Sequence, residues 1–282
     1  MNNKAAKKHS ISPISCLEIF DKGVARYIER CQAASKDAAK VFFHVPKTGG
    51  SSIREALEHE LPNFLNIRRY SDLDGWSDVL KAHKKKPYDL IAGHLRFQAL
   101  RELYDSSNNI TAMTFLRDPA ARVLSQYRYM ASPKYPDFKT FNKKFPSLDA
   151  FVKDAIGSNP TVTTLLGNCT SLDQAVHVAS RNFMFIGLTE NSAMHSFLVQ
   201  RCFGLSAFHV PGRINQTINT KKNNVEYTDE TRSIIMEKCS LDFEFYDFFK
   251  SRHLDIVDDV FSNFYASVLT GEKVSFVDVG KP

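Results

Sequence analysis

The stretch VFFHVPKTGGSSIREAL, residues 41–57, decides the fold. Residues 41–45 form a short run dominated by β-branched and aromatic side chains, which predicts a buried strand. Residues 46–50 contain a proline and paired glycines, which favour a loop. From Ser51 onward apolar residues recur at helical spacing, so we expect a helix. A strand, a glycine loop and a helix in this order predict the opening unit of a parallel α/β sheet.

Two more runs predict buried strands of the same sheet, at residues 88–92 and 110–116. The second is followed by Asp118, a good helix N-cap residue, and by Pro119, which suits the first helical position. A helix should then run to about Met130, with Arg122, Ser125 and Tyr129 on the face away from the core.

Apolar residues also recur at helical spacing from Cys16 to about Ala34, which predicts an amphipathic helix docked on the main body. Residues 132–147 are broken by prolines and predict a long surface loop, and residues 207–227 look irregular. Further helices are predicted at about 148–157, 171–181, 190–203, 228–239, 241–253 and 256–269, with a strand at 183–187. The fold class is therefore α/β, a P-loop-like parallel sheet flanked by helices with an extra N-terminal helix. The predicted division is residues 1–40 for the tail and docking helix, 41–254 for the main domain, and 255–282 for a C-terminal helix and tail.

Composition narrows the class of protein. With 282 residues and 43% hydrophobic side chains, the chain can bury one sizeable core. Its 37 basic and 31 acidic residues give a net charge of +6, which suits an anionic ligand but is too diffuse to indicate nucleic acid. The N-terminal residues lack the apolar stretch of a signal peptide, and no window suggests a membrane span. We therefore expect a cytoplasmic protein. Five widely spaced cysteines without a C-x-x-C pair favour free buried thiols over a zinc site.

The loop at residues 46–52 carries the strongest chemical signal. Glycines let backbone N–H groups close around a phosphate, and the start of a helix adds free donors and partial positive charge. Ser51 and Ser52 add hydroxyls, and Lys47 adds a full charge. A Walker A loop has its lysine after the glycines. Here the lysine precedes them, which argues against a nucleoside triphosphatase. The alternative is an ordinary tight turn.

Two further signals lie directly after the ends of two predicted strands. Arg117 follows the strand at 110–116, where ligands bind in open parallel sheets, and with Ser125 it could hold a second phosphate. His94 follows Gly93 at the end of the strand at 88–92, on the same edge of the sheet. An imidazole titrating near neutral pH suits a general base for a hydroxyl nucleophile, although a lone histidine can equally be structural.

Together these motifs resemble those of the sulfotransferases that use 3′-phosphoadenosine-5′-phosphosulfate (PAPS). The branch that contains heparan-sulfate 2-O-sulfotransferase and similar bacterial proteins is the most alike. FFHVPKTGGSS resembles the family's 5′-phosphosulfate loop, TFLRDPAARVLSQYRY its 3′-phosphate motif, and GHLRF the segment with its catalytic histidine. FIGLTE followed by a helix is a further similar element. The resemblance covers roughly residues 41–250.

The resemblance implies a role for each matching position. Lys47 would stabilise charge on the bridging oxygen of the donor, and His94 would take the proton of the acceptor hydroxyl. The 5′-phosphate would be cradled by Thr48, Gly49, Gly50, Ser51 and Ser52. Arg117 and Ser125 would bind the 3′-phosphate, and Arg213 would belong to a later loop near the nucleotide. The reaction would need no metal. Related 2-O-sulfotransferases carry a second histidine two residues before the catalytic one. Here that position is Ala92, so we expect no help from a second imidazole.

The acceptor and the rival functions stay open at this stage. The acceptor could be a glycan, a glycolipid or a small molecule, and the sequence does not indicate the oligomeric state. Residues 132–147 could form a lid or a glycan-binding strip, or a solvated loop with its aromatic side chains turned inward. A P-loop-type kinase is the main rival, and a nucleotide-binding relative without catalysis is the second.

Overall fold

Five parallel strands form the central sheet, seen in a computed structural model that describes residues 14–68, 72, 74–106, 110–205, 207–210, 225, 227–270 and 273–276. The strands are β1 (Ala39–Phe43), β2 (Phe64–Ile67), β3 (Leu90–Gly93), β4 (Ile110–Leu116) and β5 (Phe185–Leu188). Their order is β2-β3-β1-β4-β5, and every neighbouring pair is parallel. A second sheet pairs β6 (Ala207–Val210) with β7 (Lys273–Phe276).

Helices cover both faces of the five-stranded sheet. They are α1 (Glu18–Lys22), α2 (Val24–Ser35), α3 (Gly50–Glu58), α4 (Trp76–Lys85), α5 (Phe97–Ser106), α6 (Pro119–Met130), α7 (Phe138–Lys144), α8 (Leu148–Asp154), α9 (Pro160–Leu166), α10 (Leu172–Asn182), α11 (Ser192–Cys202), α12 (Asp229–Lys238), α13 (Ser240–Asp255) and α14 (Val257–Leu269). This is the predicted α/β class, and the prediction is confirmed.

Alternation along the strands divides the core between the two faces. In β1, Val41 and Phe43 face a cluster built with α5, α9, α10 and α13, while Phe42 faces a cluster built with α2, α3 and α11. All residues of β1, β3, β4 and β5 are buried. Strands covered on both sides read as continuous apolar runs, which is why the sequence revealed them. A third cluster joins α6, α7, α8 and α12.

Several local predictions are confirmed. Strand β4 has the predicted ends, and the Asp118 side chain caps α6 by accepting from the Ala121 N–H at 2.7 Å. Pro119 occupies the first turn of that helix. β1 ends two residues earlier than predicted, so that His44 and Val45 already belong to the loop segment.

Other local predictions are wrong. The expected single helix from Cys16 to Ala34 is two helices that meet at Gly23, where the Val24 N–H donates to Asp259 Oδ2 at 2.8 Å. The Asp259 carboxylate thus provides the start of α2 with an acceptor from α14, which is far away in the sequence. The irregular stretch 207–227 begins with β6, because pairing with a distant strand supplies its ladder bonds.

Residues 132–147 were expected to be a surface loop, but they contain α7. Phe141 and Phe145 are buried against Tyr127 and Phe151, with ring centroids 5.3 to 5.7 Å apart. Burial of these rings stabilises the short helix. The lysines on its outer face, such as Lys139 and Lys143, are exposed. The aromatic side chains Phe141 and Phe145 are therefore turned inward, as the second interpretation of this segment expected.

Two further findings concern the cysteines and the membrane spans. All five cysteines are free, and four of them are buried, Cys169 being half-buried. In the described part of the chain, no helix has the length and apolar character needed to cross a membrane.

Candidate active site

The carboxyl edge of the sheet brings together the segments that follow β1, β3, β4 and β5. The chain leaves β1 toward β2 and β3 on one side, whereas β4 and β5 lie on the other. Such a reversal of direction opens a crevice at the carboxyl ends of the strands, where ligands of α/β sheets bind. The three signals found in the sequence all lie at this edge.

Residues 46–52, called the phosphate-binding loop after the role predicted for them, have a backbone conformation that suits an anion. Lys47 and Gly49 both have a φ of 72°, in the left-handed region, and α3 starts at Gly50. This places the free N–H groups of the first helical turn beside the loop. Ser51 and Ser52 are half-buried in that turn.

Thr48 supports the loop from inside. Its side chain is fully buried, and its hydroxyl donates to the Val45 carbonyl at 2.9 Å. Because the hydroxyl proton is committed to that carbonyl, the side chain of Thr48 shapes the turn instead of facing a ligand.

Gly50 is required by a close approach of His44. A Cβ on Gly50 would lie 2.2 Å from the His44 ring, far inside contact distance. The ring of His44 is buried directly below the start of α3. The second glycine of the loop therefore makes room for the imidazole of His44.

Arg117 reaches the phosphate-binding loop from the end of β4. One of its guanidinium nitrogens, Nη1, donates to the Lys47 carbonyl at 3.1 Å. This contact braces Lys47 in its left-handed conformation. Ser125 lies two turns into α6 and is half-buried. Arg117 therefore touches the loop directly, on the side where α6 begins.

Lys47 lies in an environment that disfavours its positive charge. Its Nζ lies over the ring of Tyr129, 4.3 Å from the centroid. Burial lowers the pKa of Lys47 to about 8, and the charges of Arg117 and Lys134 act in the same direction. Positive charges gathered at a partly buried loop favour a bound anion, because each is stabilised by the negative charge.

His94 follows β3 and contacts the ends of both segments beside it, Ile67 of β2 and His44 after β1. Its N–H donates to the Ile67 carbonyl at 2.8 Å, and its ring Nδ1 lies 3.0 Å from the His44 carbonyl oxygen. A carbonyl can only accept, so Nδ1 carries the proton and the neutral ring has its lone pair on Nε2. Burial lowers the pKa of His94, and the charges of Arg54 and Lys47 lower it further, while the hydrogen bond to His44 opposes them.

A second imidazole lies beside His94, although the position two residues before it is Ala92. The His44 ring stacks on the His94 ring with centroids 4.5 Å apart and an interplanar angle of 30°. Burial holds the pKa of His44 well below its usual range, with smaller contributions from His94, Arg54 and Lys47. The expectation of no help from a second imidazole considered only the strand of His94, whereas His44 follows the neighbouring strand β1.

Thr189 and Glu190 also belong to this edge, and no role had been predicted for them. The Thr189 hydroxyl lies 2.8 Å from the carbonyls of Thr48 and Leu116, so it bridges the phosphate-binding loop and β4. Glu190 accepts from the Asp118 N–H at 3.0 Å. Their position directly after the buried strand β5 was the available signal in the sequence.

The roles expected of all the site residues stay predictions, and so does the reaction without metal. Arg213 lies outside the described residues. Within the described ranges, no group of three or more histidine, cysteine, aspartate or glutamate side chains is placed to hold a metal ion.

No protein-family model matches the sequence, and no curated protein matches it. A sulfotransferase from Alicyclobacillus acidocaldarius is similar in structure, with a TM-score of 0.44 and 12% identity over 78% of this chain and 95% of that one. A mouse sulfotransferase solved in complex with PAP has a TM-score of 0.36 and 12% identity over 77% of this chain and 70% of the other.

Proposed function

We propose that this protein transfers a sulfuryl group from PAPS to an acceptor hydroxyl. We further propose that this hydroxyl belongs to a carbohydrate. The observation that carries the proposal is the convergence of Lys47, Arg117 and His94 at one sheet edge. Lys47 and Arg117 are in direct contact, and the Lys47 charge acts on the pKa of His94. Transfer of an anionic group to a hydroxyl requires cations that bind the group and a base that accepts the hydroxyl proton.

The proposal assigns the two ends of an adenosine bisphosphate to the phosphate-binding loop and to α6. In the proposed complex, the N–H groups at the start of α3 and the hydroxyls of Ser51 and Ser52 bind the 5′-phosphate. Arg117 and Ser125 bind the 3′-phosphate, which distinguishes this donor from ATP. The lowered pKa of Lys47 supports an anion site at the loop on grounds independent of the sequence motif.

The reaction follows from the placement of the two active groups. His94 accepts the proton of the acceptor hydroxyl at Nε2, and its lowered pKa keeps that nitrogen unprotonated at neutral pH. The hydroxyl oxygen forms a bond to sulfur as the bond from sulfur to the bridging oxygen breaks. Lys47 stabilises the negative charge that the bridging oxygen gains. The hydrogen bond from Nδ1 to the His44 carbonyl stabilises the imidazolium that results.

Binding of the product nucleotide tests the donor. We expect adenosine 3′,5′-bisphosphate to bind the wild type without metal in calorimetry, and Lys47→Ala to bind it more weakly. A preference for ATP with magnesium would instead assign the site to the rival kinase function.

Turnover tests the base. With PAPS and a panel of acceptor glycans, His94→Ala should lose about a hundredfold or more in rate while its affinity for the bisphosphate is unchanged. Unchanged turnover in this variant would remove His94 from the mechanism. Binding without turnover in the wild type would favour the non-catalytic relative.

A further inference from the structure

Tyr129 lies next to the proposed reaction centre and has no role in the mechanism so far. It belongs to the last turn of α6, one turn after Ser125 on the same helical face. Its ring lies under the Lys47 ammonium group, with 4.3 Å between Nζ and the ring centroid. That distance is well within the range of a cation–π interaction.

The Tyr129 ring is itself fixed by the turn that follows α6. The Tyr129 carbonyl accepts from the N–H and the hydroxyl of Ser132, at 3.1 and 2.7 Å. Tyr135 then packs edge-on against the Tyr129 ring at 5.7 Å and touches the buried ring of Phe141. The third core cluster therefore supports the position of this ring.

Lys47 is thus held at both ends by the segment that starts after β4. Arg117 binds its carbonyl, and Tyr129 lies under its ammonium group. An aromatic face suits this place because it attracts a cation without a net negative charge. A carboxylate there would also stabilise the ammonium group, but its charge would repel an anionic donor.

We propose that Tyr129 is a positioning residue of this site, whose ring face holds the Lys47 ammonium group at the phosphate-binding loop. This inference rests on the proposed function for its biological meaning, since Lys47 is there the group that stabilises the leaving oxygen. The interaction itself is a property of the protein alone. It opposes burial and the charges of Arg117 and Lys134, which all disfavour the protonated form of Lys47.

The test is an NMR titration of Lys47 in protein that carries ¹³Cε-labelled lysine, with the signal assigned by its loss in Lys47→Arg. In Tyr129→Leu we expect the titration midpoint to fall by about 0.4 to 0.7 pH units. Tyr129→Phe keeps the ring and should keep the midpoint. Tyr265→Leu is the matched control, because Tyr265 is a helical tyrosine that is 62% exposed on α14.

An unchanged midpoint in Tyr129→Leu overturns the proposal, as does an equal fall in Tyr129→Phe. A merely structural role of Tyr129 would lower the melting temperature without moving this midpoint. Should Tyr129→Leu fail to fold, Tyr129→Trp tests the same interaction in the opposite direction. Indole binds cations more strongly, so the midpoint should rise, and a midpoint that stays or falls refutes the inference. Calorimetry with adenosine 3′,5′-bisphosphate on the wild type is done separately. If the wild type does not bind this nucleotide, the proposed donor is wrong, but the result on Tyr129 stays valid.

Discussion

Binding of adenosine 3′,5′-bisphosphate should draw a proton from solution, and Lys47 should be the group that takes it. The pKa of this ammonium group is lowered to about 8, chiefly by burial and then by Arg117 and Lys134. A bound polyanion stabilises the protonated form and raises the pKa again. The perturbation is therefore simple: the ligand is added at a series of pH values, and the protons exchanged are counted.

The magnitude follows from the pKa of about 8. At pH 8 about half of the protein carries neutral Lys47, so about 0.5 proton is taken up per site. The uptake falls to about 0.1 proton at pH 7 and rises to about 0.9 at pH 9. Since the free-protein pKa is the lower one, affinity is at its full value below pH 8. Above pH 8 it falls by about tenfold per pH unit, until the pKa of the complex is reached.

The assay is calorimetry in two buffers of different ionisation enthalpy, at pH 7, 8 and 9. The phosphates of the ligand titrate near pH 6, so they stay ionised over most of this range. Lys47→Arg is the matched variant, because a guanidinium group stays charged and cannot take up a proton. Zero uptake at pH 8 in the wild type, or equal uptake in Lys47→Arg, would refute the reasoning.

Three further predictions concern neighbouring residues. His44→Ala removes the ring stacked on His94, so kcat should fall about tenfold. The affinity for the bisphosphate, measured by calorimetry, should stay the same. An unchanged kcat would contradict this prediction. Arg117→Ala should reduce the preference for adenosine 3′,5′-bisphosphate over adenosine 5′-phosphate by about ten- to a hundredfold, and an unaltered ratio removes the 3′-phosphate role. Gly93 has a φ of 136°, and a Cβ there would lie 2.0 Å from a backbone oxygen. Gly93→Ala should therefore lower the free energy of unfolding in urea by more than about 2 kcal/mol. The control Gly157→Ala, where a Cβ meets no atom within 4 Å, should lower it by less than about 1 kcal/mol. Equal losses in the two variants would contradict the prediction.

Local pattern was enough for the central elements of the fold. Strands β1, β3, β4 and β5 are buried on both faces, so their composition alone identifies them, and the start of α6 follows from Asp118 and Pro119. The edge strand β2 was missed because its four residues are partly exposed and carry no clear pattern. Helix α7 was missed although Phe138, Phe141 and Phe145 recur near helical spacing, since the prolines and lysines around them favoured a loop.

The sequence by itself also determined which segments would meet at the candidate site. Residues that follow neighbouring parallel strands share one edge of the sheet, and the placement of Lys47, His94 and Arg117 agrees with that rule. Their proposed chemical roles remain predictions. What the sequence could not indicate is the partner of each group. His44 lies 50 residues before the histidine that it stacks on, and the hydroxyl of Thr189 reaches a carbonyl 141 residues away.

Only the tertiary structure decided the tautomer of His94, the ring under Lys47 and the lowered pKa of that lysine. These properties depend on distances of 3 to 4.5 Å between groups that are far apart in the sequence, one of them a backbone carbonyl. Periodicity and capping report on neighbours within one turn or one strand, whereas such distances are set by the packing of whole elements. The residue types of the site were therefore visible in the sequence, and their electrostatics came from the way the sheet and α6 pack together.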